Sequence, residues 1–300
     1  MVISDQPLVS VVIPSFNQSK FIEETINSVL LQNYRPLEII VIDACSTDGT
    51  IDKLHKYDNV SEVRWISERD NGHADGVNKG FILARGEIIA WINSDDVYYS
   101  TDVVKMVVEY FTKKPKVDVV YGDVAIISIN STLLRLFLLP PFNKERILRQ
   151  NYISQPAVFI RKYVVDEEKL NINQVGLDYE YWLRLLIKGY CFSHTNKIFA
   201  CDRHYPERIS VNQKSIIESQ IAIVKKRLGL SRPNYVVLHF IDRIYQAFCR
   251  IKGFMLLVFM AVLCDKDKIV FPIKIDSYPK LLWRQMTKAV GSDFKFKRTL

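Results

Sequence analysis

The sequence predicts an α/β fold: a mostly parallel, Rossmann-like sheet flanked by helices. Three observations predict it. Short, nearly continuous apolar runs rich in Val and Ile recur up to about residue 121, as in strands buried on both faces. Helical segments alternate with these runs, so a strand-helix unit repeats four times. Polar residues follow four consecutive runs, and ligands of such sheets bind at the carboxyl ends of the strands.

The elements follow in order. Residues 8–13 (LVSVVI) read as a buried strand closed by Pro14-Ser15. Residues 19–32 read as a helix with Phe21, Ile22, Ile26, Val29 and Leu30 on one face. Residues 37–42 (LEIIVI) form a second strand, and a helix follows Ser46-Thr47-Asp48-Gly49. Residues 63–66 form a third strand, about 74–83 a helix, 87–92 (EIIAWI) a fourth strand, about 101–113 a helix, and 117–121 a fifth strand. The second half is less regular: a hairpin region over 124–138, a short strand over 157–160, and a helix over 178–187 with Trp182, Leu185 and Leu186 inward.

Composition narrows the class. The chain has 300 residues, 48% of them hydrophobic, too many for a disordered chain. Its five cysteines are scattered without a CxxC pair, so the expectation is reduced thiols in a cytoplasmic protein. The first apolar run is too short for a signal peptide. The longest apolar stretch, 254–264, falls short of the roughly 20 residues a membrane span needs. Residues 221–300 hold 16 Lys and Arg against 5 Asp and Glu, a net +11, while the remainder carries −3. A basic tail suits anionic surfaces, and no nucleic-acid motif accompanies it.

The strand ends supply the candidate residues: Pro14-Ser15-Phe16-Asn17, then Asp43, then Asp70-Asn71-Gly72, then Asn93-Ser94-Asp95-Asp96. Asp95 and Asp96 are adjacent and point apart in extended chain. One suits a hard divalent cation, the other ribose hydroxyls. The plainer reading is a helix N-cap before 97–111. Asp43 and Asp70 suit a nucleoside, or simply make turns, since Asp-x-x-Ser and Asp-Asn-Gly are turn sequences. Asp48 and Asp75 read as helix caps.

Four segments, VSVVIPSFNQSKFIEETINSVLLQ, EIIVIDACSTDGT, ERDNGHADGVNKGF with ARGEIIAWINSDD, and LDYEYWLRL, resemble the inverting family 2 glycosyltransferases with the GT-A fold. The resemblance covers roughly residues 8–215. It implies a GT-A-type domain over 1–228, with a nucleotide-sugar half (1–122) and an irregular acceptor half (123–228); Gly229, Ser231 and Pro233 mark the boundary to a helical basic tail (229–300). It implies that Pro14, Ser15, Asn17, Asp43 and Asp70 line the nucleotide pocket, that Asn78 and Lys79 lie near the donor, and that Asp95-Asp96 is a DXD-type motif. In that motif Asp95 serves the donor and Asp96 holds Mn²⁺ or Mg²⁺. Asp178 aligns with the catalytic base, and Glu180 lies two residues on. Its plainer role is an N-cap for the helix that follows.

Two positions depart from the family pattern. Ala44-Cys45 stand where Asp or Gly followed by Gly is usual, and a segment that usually reads Arg-x-His reads Arg203-His204-Tyr205 here. His204 is a candidate aid to the metal or diphosphate.

The implied partners are a nucleotide-sugar donor, most commonly a UDP-sugar, and a glycan or lipid-linked acceptor, as in polysaccharide biosynthesis. The absence of QxxRW weighs against a processive synthase. Two alternatives stand beside this reading. One is a nucleotidyltransferase, although Pro14-Ser15-Phe16-Asn17 is no glycine-rich triphosphate loop. The other is a non-catalytic nucleotide-sugar-binding protein. Along the tail Val237, Ile241, Ile244, Phe248, Ile251 and Met255 recur at spacings of four and three, an amphipathic helix. That helix either packs on the catalytic domain or lies on the inner face of a membrane.

Overall fold

A computed structural model describes residues 6–229, 247–249, 251–253 and 255. The elements are β1 (Val9–Ser15), α1 (Ile22–Leu30), β2 (Leu37–Asp43), α2 (Thr50–Leu54), β3 (Val63–Ser67), α3 (His73–Leu83), β4 (Ile88–Trp91), β5 (Val97–Tyr98) and α4 (Val103–Lys113). Then come β6 (Val119–Ser128), β7 (Leu133–Phe137), α5 (Lys144–Arg149), β8 (Val158–Arg161), α6 (Lys162–Glu167), α7 (Leu177–Ile187), β9 (Phe192–His204), α8 (Ile209–Asn212) and α9 (Lys214–Arg227). The described strands form one sheet of order β3-β2-β1-β4-β8-β6-β9-β5, with β7 on β6.

Up to β4 the sheet is parallel, as the apolar runs predict. Alternate residues of each strand enter opposite cores. Val11, Ile13, Ile39 and Val41 pack toward α1 and α4, while Val12, Ile40 and Ile42 pack toward α3 and α7. The α3–β1 approach is close enough that a Cβ on Gly80 would fall 2.1 Å from Val12 Cγ1. The chain builds outward from β1 through β2 to β3, then returns by α3 to β4 on the other side of β1. The β1/β4 gap is therefore the topological switch point, where such sheets bind ligands.

Beyond β4 the sheet is mixed. β8 lies antiparallel between β4 and β6, and β6 runs parallel to β9. The fifth predicted strand is longer than expected: β6 runs from Val119 to Ser128 and forms the hairpin with β7. It crosses the expected 122/123 boundary, so both halves share one sheet. Residues 97–98 are strand, not helix, and α4 begins only at Val103 behind Asp102. The tail expected over 229–300 lies largely outside the described residues, as do Val237, Ile241 and Ile244.

Candidate functional site

The first two loops of the carboxyl edge are tied together. Asn17 sits in the left-handed region (φ 53°), donates its N–H to Ser46 Oγ (2.7 Å), and accepts from the Thr47 N–H (2.9 Å). Asp43 is fully buried. Its carboxylate accepts from the Ser46 N–H (2.9 Å), the Ser46 hydroxyl (2.5 Å) and the Ser67 hydroxyl (2.8 Å). It therefore braces the Asp-x-x-Ser turn and ties it to the end of β3. Asp48 holds the start of α2 through the Thr50 N–H (3.1 Å). Pro14 and Ser15 close β1, both buried, and the Ser15 carbonyl accepts from the Ala44 N–H (2.9 Å). Cys45 takes a left-handed φ of 57°, which accounts for glycine being usual there.

Asp70 lies over the start of α3, accepting from the Gly72 N–H (2.9 Å). A Cβ on Gly76 would sit 3.0 Å from its Oδ2 and 3.8 Å from Pro14 Cβ, so Asp70, α3 and the end of β1 converge. Lys79 pairs with Glu68 (2.7 Å) and donates to the Arg69 carbonyl (2.9 Å), bracing the β3–α3 loop. Asn78 is buried, and its amide both donates to and accepts from the Leu170 backbone (2.9 and 2.8 Å). That pair of bonds ties α3 to the loop leading to α7.

Asp95 and Asp96 follow β4. Neither caps a helix, because strand residues 97–98 intervene. Asp96 is 3% exposed and accepts from the Arg203 N–H (2.8 Å) and Asn93 Nδ2 (3.4 Å). Burial, then the charges of Asp95 and Asp202, hold its carboxyl well above the usual range. Asp95 accepts from the Tyr205 hydroxyl (2.8 Å), and its carbonyl accepts from Arg203 Nε (2.7 Å). The Arg203 guanidinium is buried, pairs with Glu24 and stacks on Phe21 (4.7 Å). The end of β9 thus fixes both aspartates. Tyr205, not His204, meets Asp95, while His204 faces Asp202 (3.4 Å).

Asp178 occupies the first turn of α7, two residues after the N-cap Gly176. Its carboxylate accepts from Asn151 Nδ2 (3.0 Å). Burial raises its proton affinity, Asp202 adds to the rise, and the Tyr179 N–H and Asn151 oppose it. Glu180 is committed elsewhere: it pairs with Arg184 (3.0 Å), which also pairs with Glu168 (2.7 Å).

These groups share one electrostatic neighbourhood. Asp70 and Asp95 both act on His73, whose ring stands edge-on to Trp91 (6.4 Å). Asp95 and Asp202 act on Asp96, and Asp202 acts on Asp178. Asp202, bound to Arg208 (2.9 Å), acts on both Asp96 and Asp178 and so links the end of β4 to α7. It was not singled out in the sequence, although it directly precedes the Arg203-His204-Tyr205 segment.

The donor set fits a hard cation in a particular way. Among the described residues no three His, Cys, Asp or Glu side chains gather to cage a metal. Mg²⁺ and Mn²⁺ sites on nucleotides use one or two carboxylates and complete the shell with phosphate and water oxygens. Asp95 and Asp96, with the Asp202 charge acting on Asp96, could supply one or two such carboxylates.

The sequence matches glycosyl transferase family 2 over residues 10–163. It is 30% identical over 212 residues to a putative teichuronic acid biosynthesis glycosyltransferase, TuaG, of Bacillus subtilis, covering 69% of this chain and 83% of that one. It is 27% identical to the Escherichia coli UDP-Glc:alpha-D-GlcNAc-diphosphoundecaprenol beta-1,3-glucosyltransferase WfaP, covering 78% and 91%. It spans only 34% of the length of the E. coli chondroitin synthase it also resembles (29% identical, 76% of this chain). Two solved structures share the fold. S. aureus TarS 1-349 with UDP-GlcNAc has a TM-score of 0.58 and 18% identity, covering 72% of this chain and 66% of that one. The Pyrobaculum calidifontis mannosyltransferase PcManGT with GDP-Man and Mn²⁺ has a TM-score of 0.58 and 15% identity, covering 94% and 85%.

Proposed function

This chain belongs to glycosyl transferase family 2, and from that premise we propose an inverting, cation-dependent transfer from a UDP-sugar to a glycan or lipid-linked acceptor. The observation that carries the reading is the shared electrostatic neighbourhood of Asp70, Asp95, Asp96 and Asp178, linked through His73 and Asp202. TarS with UDP-GlcNAc supports the nucleotide, and the diphosphoundecaprenol named for WfaP supports a lipid-linked acceptor.

In this reading Pro14, Ser15, Asn17 and Asp70 line the nucleotide, with Asp43 and Lys79 bracing the loops that carry them. Asp95 accepts from ribose hydroxyls, and Asp96 holds Mn²⁺ or Mg²⁺. A cation held there would supply stabilisation of the charge that collects on the leaving diphosphate. Asp178 takes the proton of the acceptor hydroxyl as that oxygen attacks the anomeric carbon. The bond from that carbon to the diphosphate breaks, its electron pair leaves with the phosphate, and one displacement inverts the centre. Glu180, held by Arg184, is not available as the base.

The test is nucleotide release from a panel of UDP-, GDP- and dTDP-sugars, with and without EDTA. Release of UDP that EDTA abolishes supports the reading. Pyrophosphate would indicate nucleotidyl transfer, and no product at all would reduce the protein to a binding module.

A lipid-linked acceptor calls for a membrane surface. Among the described residues no helix is long and apolar enough to cross a bilayer. In the helical residues 247–249 and 251–253, Cys249 packs against the cluster that contains Leu136 and Leu138, and Gly253 lies against Leu136. Phe248, Ile251 and Met255 are 61, 56 and 60% exposed. An apolar face beside a net +11 segment matches an anionic lipid interface. Phe248→Ser/Ile251→Ser/Met255→Ser should lose cosedimentation with phosphatidylglycerol vesicles. Equal pelleting of wild type and variant would remove this contact from the account.

A further inference from the structure

Asn151 lies outside every sequence motif, between α5 and β8, on a stretch whose backbone is fixed from both sides. The Gln150 N–H bonds the Arg146 carbonyl (3.0 Å). Tyr152 and Ile153 are buried, and the Tyr152 hydroxyl accepts from the Asn143 N–H (3.0 Å). Asn151 itself is exposed, yet its amide is directed onto Asp178 Oδ2 (3.0 Å). An exposed amide loses rotamer freedom when it is held in one place, and a bond to a charged acceptor is the stronger kind that offsets this.

We propose that Asn151 is a positioning residue for proton transfer, pinning Asp178 Oδ2 so that Oδ1 meets the acceptor hydroxyl. This rests on Asp178 being the base. The groups acting on that carboxylate come from three sides. On its own helix are the N–H groups of 178 and 179, with Glu180 neutralised by Arg184. From β9 comes Asp202, itself bound to Arg208 and His204. From the loop comes Asn151. On α9, Lys225 is directed to the Tyr179 ring and the Arg149 carbonyl instead. Asn151 therefore opposes both the burial and the Asp202 charge, and it favours the ionised form that accepts a proton.

The sign of the consequence follows. Without Asn151 the carboxyl binds its proton more tightly, so the ionised fraction is reached at higher pH. In Asn151→Ala, followed by UDP release from the UDP-sugar the donor screen selects, kcat should fall about tenfold. The acid limb of kcat/KM should move up by about one pH unit, while donor KM and Tm stay near wild type. Asn151→Ser, which keeps a smaller donor, should lose less. If Asp178→Asn is inactive while Asn151→Ala keeps the wild-type kcat and pH profile, this inference is overturned. If Asp178→Asn turns over normally, it is the base assignment that falls.

Discussion

Asp178→Asn should lower the rate of sugar transfer about a thousandfold, the upper half of what a positioned general base contributes. The substitution keeps the shape and the hydrogen bond to Asn151 but removes the group that can take a proton. Nucleotide binding should be nearly unchanged, because the carboxylate stands in the first turn of α7 and not on the strand-end loops. The paired measurements are kcat and the Kd for UDP by calorimetry. A variant that lost UDP binding in proportion to rate would place Asp178 in donor recognition instead. A variant with normal kcat would exclude it from the chemistry.

The second large effect is expected at Asp96. Asp96→Asn should weaken Mn²⁺ binding in the presence of UDP and reduce transfer by two or more orders of magnitude, roughly the several kcal/mol a Lewis acid supplies. The same substitution should stabilise the protein when unfolding is followed in EDTA. Asp96 is buried and crowded by Asp95 and Asp202, so its charge works against the fold. A neutral amide of equal size keeps the Arg203 N–H contact and removes that repulsion. A gain in Tm together with a loss of activity is a common pattern for groups that serve function at a cost in stability. A variant less stable than wild type, with Mn²⁺ affinity intact, would make Asp96 an ordinary structural carboxylate.

The parallel half of the fold was legible because burial on both faces writes itself as unbroken Val and Ile runs, from Val9 to Ile13 and from Leu37 to Ile42. The second half was not, since its order depends on partners far away in sequence. β8 inserts antiparallel between β4 and β6, and β9 pairs with β6 through register shifts beside Asp123 that spoil simple alternation. The site divides in the same way. Asp95, Asp96 and Asp178 could be proposed from strand ends and motif resemblance. Asp202, Arg203 and Tyr205 reach Asp95 and Asp96 only through β9, across more than a hundred residues, and no local pattern reports such a meeting. Asp43 and Asn78 also carry structural bonds, in the Asp43-Ser46 turn and the Asn78-Leu170 tie. The Asp-x-x-Ser spacing was a visible signal of the first, whereas nothing local announced the second.

The most direct measurement is a crystal structure with UDP and Mn²⁺, using anomalous scattering to locate the metal. One anomalous peak is expected within coordination distance of the Asp96 carboxylate and both phosphates, with Asp95 at the ribose and Asp178 facing the sugar. A peak elsewhere on the protein, or UDP bound away from the β1/β4 switch point, would contradict it.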